Sequence, residues 1–222
     1  TVTNFVQANP TLPPARTLKN RFVNELARRE DWRGLLAFSP DKPGTAEAQC
    51  NYYYAKYSVG DTQGAWEGAK TLWLSGQNRP NACDKLFSAW RSSGTQDPLA
   101  YLERIRLVMK AGNTGLVKVL ASQMPAEYQT MATAITDLAN NPNNVLTFAR
   151  TTGATDFTRQ LAAVAFSSVA RQDAENARLM IPSLVQAQQL NEEQTQELRD
   201  IVAWRLMGSD VTDEQARWRD DA

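Results

Sequence analysis

The chain has 222 residues, is 42% hydrophobic and 22% charged, and balances 24 basic against 24 acidic side chains. That is long enough for one large domain or two small ones with a sizeable core, and no apolar run approaches the roughly 20 residues that span a bilayer. Histidine is absent, which removes the commonest metal ligand and the commonest general base at neutral pH.

Taken in chain order, the sequence opens on Thr1-Val2-Thr3, with neither Met nor a basic-then-apolar leader, so any signal peptide is expected to be gone or to lie upstream. Pro13 and Pro14 then precede Leu18, Phe22 and Leu26, which predicts a helix near 14–29. The stretch AQCNYYYAKYSVGD (48–61) reads as a helix ended near Gly60, with Asp61 starting the next one through Ala65, Trp66, Ala69, Leu72 and Trp73 to a stop at Gly76. Residues 45–76 have a weak tetratricopeptide flavour, Tyr-x-Ala-x-x-x-x-Gly followed by small residues. Asn81 is placed to cap a helix carrying Leu86, Phe87 and Trp90 to Gly94.

Asp97-Pro98 sets an N-cap before a proline at the first helical position. Leu99, Leu102, Ile105, Val108 and Met109 follow at helical spacing to Gly112, so the spacing predicts a helix over 98–111. Pro125 opens a segment to about Leu138, and Pro142 a short one to Gly153. Thr155 or Asp156 starts the next, with Phe157, Leu161, Val164 and Val169. Pro182 is expected to split or kink 173–190. Asn191 with Gln194 resembles a capping box before Leu198, Ile201, Val202 and Leu206. The chain ends in Asp220-Asp221-Ala222 after a helix-like start, so both ends read as cuts inside a longer protein.

No segment alternates with period two, so the fold class expected is all-α. About a dozen short helices on short loops suggest antiparallel hairpins stacked into an irregular α-superhelix, with a compact bundle as the alternative. Charge is uneven along it: 15 Lys/Arg against 10 Asp/Glu in 1–111, and 9 against 14 in 112–222. No Lys/Arg run forms a basic stripe, so no nucleic-acid partner is expected.

Chemistry is sparse. Cys50 lacks the histidine that usually activates a nucleophilic cysteine. Two cysteines 33 apart without histidine do not make a zinc site. That separation is about one helical-hairpin repeat, which leaves two readings open: a staple between Cys50 and Cys83, which would imply an oxidising compartment, or two reduced, buried thiols. Tyr52, Tyr53 and Tyr54 cannot share one helix face, so a flat sugar-stacking platform is not expected, although a glycan contact by an exposed one stays open. The six tryptophans are read mostly as packing residues. Glu192, Glu193, Glu197 and Asp200 are explained by the positive end of a helix. There is no phosphate loop, Gly-x-Ser-x-Gly elbow or HExxH motif. The catalytic, cofactor and metal residues expected are none.

Long runs carry a resemblance across nearly the whole chain: NPTLPPARTL, RREDWRGLLAFSP, AQCNYYYAK, PNACDKLF, QDPLAYLERIRLVMKAGNTGLV, LTFARTTGATDFTRQ, SVARQDAENARLMIPSL and QELRDIVAWRLMGSDVTDEQARWRDDA. The chain resembles the N-terminal superhelical part of the large soluble lytic transglycosylases of enteric bacteria. The resemblance implies that 1–222 form one U-shaped superhelical domain, without the linker and lysozyme-like catalytic domains. It also implies a disulfide between Cys50 and Cys83 and a periplasmic location. The parent enzymes are lyases that cleave the β-1,4 bond between N-acetylmuramic acid and N-acetylglucosamine in peptidoglycan, leaving 1,6-anhydro-muramyl ends without a cofactor. Their Glu-Ser, Gly-Leu-Met-Gln and Ala-Tyr-Asn signatures are absent here, so this segment is expected to be inactive by itself and to shape a ring that admits glycan strands. Its expected partners are those strands, the linker and catalytic domains, and other cell-wall proteins. The alternative is a solenoid adaptor for cell-wall enzymes or peptides.

Overall fold

The computed structural model describes residues 1–207 and 212–222; residues 208–211, which belong to the last run quoted above, lie outside the described residues. Among the described residues there are fourteen α-helices, two single 3-10 turns and no strand, so the fold is all-α. The helices fall into two compact units, Thr1–Arg104 and Ile105–Ala222. The first contains α1 (Val2–Ala8), α2 (Pro13–Arg28), α3 (Trp32–Phe38), α4 (Ala46–Ser58), α5 (Thr62–Trp73) and α6 (Ala82–Ser92). Helix α7 (Pro98–Lys110) begins in the first unit and ends in the second. The second continues with α8 (Thr114–Ser122), α9 (Gln129–Asn140), α10 (Val145–Thr151), α11 (Asp156–Gln172), α12 (Ala174–Gln188), α13 (Glu192–Leu206) and α14 (Asp213–Asp221).

One junction recurs. Helices α2, α4 and α7 each end on a residue with positive φ, at Glu30 (56°), Gly60 (98°) and Gly112 (74°). The next residue, Asp31, Asp61 or Asn113, returns its backbone N–H to Leu26, Lys56 or Val108. Its side chain then accepts from the backbone N–H three residues on, at Gly34, Gly64 or Leu116, at 3.0–3.2 Å. A left-handed residue satisfies the carbonyls that close one helix, and the cap satisfies the amides that open the next. The chain reverses in two residues, which is what an antiparallel hairpin requires.

The first unit is built around α4, which packs against α2, α3, α5 and α6. One buried cluster joins Val23, Ala27, Leu35, Ala48, Tyr52 and Ala55. Further along, Trp73 packs edge-on against Phe87 and Trp90, and its indole N–H donates to the Ala100 carbonyl at 3.0 Å. The Arg104 guanidinium lies 4.3 Å from the Trp73 ring centre; burial, then the neighbouring charge of Arg79, pulls its pKa down to about 10.

The second unit packs mostly aliphatic and alanine side chains, among them Leu161, Ala165, Val169, Ile181, Leu184 and Val202, around Phe166. Helix α12 is unbroken across Pro182. The expected split does not occur: Met180, Ile181 and Leu184 are buried on either side of the proline, and this packing outweighs the one lost backbone bond. At its end, fully buried Gln188 ties three helices together. Its side-chain amide donates to the Ala149 carbonyl at 2.9 Å, its amide oxygen accepts from the Thr158 hydroxyl at 2.9 Å, and its backbone carbonyl accepts from Arg159 Nε at 2.8 Å.

Most expected boundaries hold. Thr155 and Asn191 both form capping boxes. Pro125 leads through a 3-10 turn, Ala126–Tyr128, before α9 starts. Leu99 is largely exposed, while the neighbouring Ala100 is buried and its carbonyl accepts from the Trp73 indole N–H.

Candidate functional site

Cys50 on α4 and Cys83 on α6 are disulfide-bonded, with their Cα atoms 4.9 Å apart. Neither thiol is free, which removes the nucleophile. The bond spans a separation of 33 residues that includes all of α5, and α4 and α6 also pack directly.

The three consecutive tyrosines diverge, as 100° per residue demands. Tyr52 is buried and its hydroxyl donates to the Pro40 carbonyl at 3.1 Å. Tyr53 lies across Gly68, where a Cβ would come within 2.3 Å of the ring, so glycine is required there for α5 to approach α4. Burial raises the Tyr53 pKa. Half-buried Tyr54 meets Trp32 at 5.1 Å, and Lys85 Nζ sits 5.3 Å and 5.4 Å from those two rings. Tyr57 continues the row to Trp66. The planes of these rings turn by 32° to 71° from one to the next, so they form no flat platform.

Three carboxylates among the described residues are held below their ordinary range. Arg28 and then Arg29 hold Glu25 down, from 4.5 to about 2. The Gly64 backbone N–H lowers Asp61, and Arg178 lowers Glu175. Each of these three is held as the carboxylate by its partners, whereas a general acid at neutral pH needs an upward displacement. Asp156 and Glu197 line a common cavity of about 210 Å³ in the second unit, but both are exposed and Asp156 pairs with Arg159 at 3.3 Å. No group of three or more Cys, Asp or Glu side chains suited to a metal ion occurs among the described residues.

A larger groove of about 770 Å³ lies in the second unit. Three helix faces build it, each with a three- or four-residue stagger. Arg106 and Lys110 come from α7; Gln160, Ser167, Ser168 and Arg171 from α11; Asp200, Ile201, Trp204 and Arg205 from α13. Trp204 is 68% exposed. Arg171 is oriented by a 2.8 Å hydrogen bond from its Nη2 to Ser168 Oγ. Ion pairs along this unit include those of Arg159, Arg178, Arg199 and Arg219, none of which lines the groove.

The sequence reading missed this groove, because its cations lie far apart in the chain and form no linear stripe. It also counted Trp204 among packing residues. A signal was present: Thr195, Leu198, Val202 and Leu206 fall within an arc of about 80° on α13, and Trp204 lies about 160° from its middle. Asp200, read as helix-end charge, faces the groove as well.

Helical hairpins build both units, so the chain is all-α, and the second unit carries an open polar groove. Over its full length the chain is 83% identical to the soluble lytic murein transglycosylase of Escherichia coli K12, and equally to that of Salmonella typhimurium. The crystal structure of the 70-kDa soluble lytic transglycosylase of E. coli superposes with a TM-score of 0.94 over 99% of this chain and 36% of that one. The inactive mutant of the lytic transglycosylase Slt of Pseudomonas aeruginosa, 24% identical, shares the fold with a TM-score of 0.75 over 92% of this chain. No family model matches the chain. From end to end, therefore, the chain is closely similar to a segment of the soluble lytic murein transglycosylases, and it spans 34% of the length of the curated relatives it matches.

Proposed function

We propose that the chain is a non-catalytic scaffold segment of a periplasmic peptidoglycan lytic transglycosylase. In the whole protein, residues 1–222 act as one superhelical domain that supports linker and catalytic domains and helps shape a lumen admitting glycan strands. Bond cleavage to 1,6-anhydro-muramyl ends belongs to the rest of that protein. The observation that carries this reading is the 83% identity over the whole chain, confined to 34% of the relatives' length. The disulfide fits an oxidising compartment. The test is incubation of the 222-residue chain with purified sacculi and separation of the soluble products. No anhydro-muropeptides above the buffer control are expected, and release above that control would overturn the reading.

A further inference from the structure

The groove on the second unit combines features that select a ligand. Residues 105–222 carry 11 Lys/Arg against 14 Asp/Glu, yet the groove gathers Arg106, Lys110, Arg171 and Arg205 against Asp200, the one carboxylate among its described lining residues. An excess of cations in a unit of net negative charge is local, so it suits a ligand with a few anionic groups at fixed positions. A polyanion tracking a long surface would meet the surrounding acids. Lys110, Arg171 and Arg205 are all exposed. Beside them, the Trp204 indole is 68% exposed, an apolar flat face with a polar N–H edge. Asp200 accepts hydrogen bonds, the Ser167 hydroxyl and the Gln160 amide both give and accept them, and a sugar's hydroxyls need both kinds of partner. The volume of about 770 Å³ lies in the range of small-molecule sites.

We propose that this groove binds a carboxylate-bearing glycan, namely a peptidoglycan strand with its stem peptides. A sugar ring lies on Trp204, and the free carboxylates of the stem peptide meet Arg171, Arg205 and Lys110. Guanidinium groups match carboxylates bidentately, so the arginines set register and the lysine adds charge. A neutral glycan uses only the indole and the hydroxyl partners. A nucleic acid places a phosphate on every residue and meets Asp200 and the acidic surroundings. The choice of peptidoglycan rests on the scaffold reading above, whereas the geometry of the site does not depend on it.

The experiment is titration of the 222-residue chain, by calorimetry and by the assigned Trp204 indole N–H resonance. The probes are a soluble N-acetylglucosamine–N-acetylmuramic acid tetrasaccharide with stem peptides, chitotetraose and a single-stranded DNA 12-mer. The peptide-bearing glycan is expected to bind about tenfold tighter than chitotetraose, the factor of one good charged contact. Trp204→Ala and Arg171→Ala/Arg205→Ala are each expected to weaken it about tenfold, with unchanged melting because all three side chains are exposed. Raising salt is expected to erase most of the preference over chitotetraose. Absence of binding, binding unchanged in both variants, or DNA bound as tightly as the glycan would each overturn the proposal. Product release from sacculi is a separate readout, so failure of the scaffold reading and failure of this one are distinguishable.

Discussion

The two units reach the same hairpin geometry with different materials. Thirteen of the 19 aromatic residues lie in 1–104, as do the ring pairs from Phe22–Phe38 to Trp73–Tyr101 and the disulfide. The second unit relies on aliphatic and alanine packing and on the Gln188 lock. Large rings fill the space between helices with few side chains, at edge-on or tilted contacts, and α4 is fixed further by a covalent bond. Small side chains let helices approach closely, and a single buried amide then sets their register. The contrast separates the unit made rigid by shape and covalency from the unit that carries the open groove.

That contrast breaks most sharply at Trp73. Replacing it with Ala removes a buried ring and the bond to Ala100, for an expected loss of about 3–5 kcal/mol. Peptide-resolved hydrogen exchange is expected to show the loss in 1–104, and an equal loss in 105–222 would contradict the division. Reduction of the Cys50–Cys83 bond is expected to cost about 3–4 kcal/mol by chain entropy, read as a lower urea midpoint in dithiothreitol. Gln188→Leu leaves the Ala149 carbonyl without its amide donor and is expected to cost about 2–3 kcal/mol, with exchange rising first in α10 and α12.

Glu30→Gly sharpens the comparison among the junctions. Glu30 holds a left-handed conformation that Gly60 and Gly112 adopt without a Cβ, so the change is expected to gain about 0.5–1 kcal/mol, seen as a rise in Tm. A loss of stability there would show that the Glu30 side chain matters more than its backbone strain.

The smallest effect is acid sensitivity. Glu25 is held near 2 in the fold against an ordinary 4.5, so its contribution is complete above 4.5 and is lost as pH falls toward about 2. Glu175 in the second unit is lowered in the same sense by Arg178. Glu25→Gln is expected to flatten the acid limb of the stability curve for 1–104 and leave that of 105–222 unchanged, measured by chemical denaturation from pH 5 down to pH 2.

Much of the architecture was legible because helix punctuation is local. Asp61, Asn81, Thr155 and Asn191 each announce a start within four residues of chain, and Gly60 and Gly112 announce stops. Of the two outcomes expected at Pro182, a split or a kink, the split does not occur, because the proline's cost is local while the burial of Met180, Ile181 and Leu184 that opposes it is tertiary. The disulfide rested on spacing and resemblance, and the fold brings the two cysteines together. The groove was hidden for the converse reason: Lys110, Arg171 and Arg205 meet only after three helices are placed. Trp204 alone was within reach, from its phase on α13.

The bond between Cys50 and Cys83 also sets how the chain answers a pull on its ends. With the bridge intact, the residues between the cysteines never come under tension, so α5 is not stretched even after the helices around it unravel. A sequence separation of 33 residues corresponds to roughly 110 Å of extended chain. In an optical trap, the oxidised molecule is expected to stop short by that length, and adding reductant at constant force should release it as a single step.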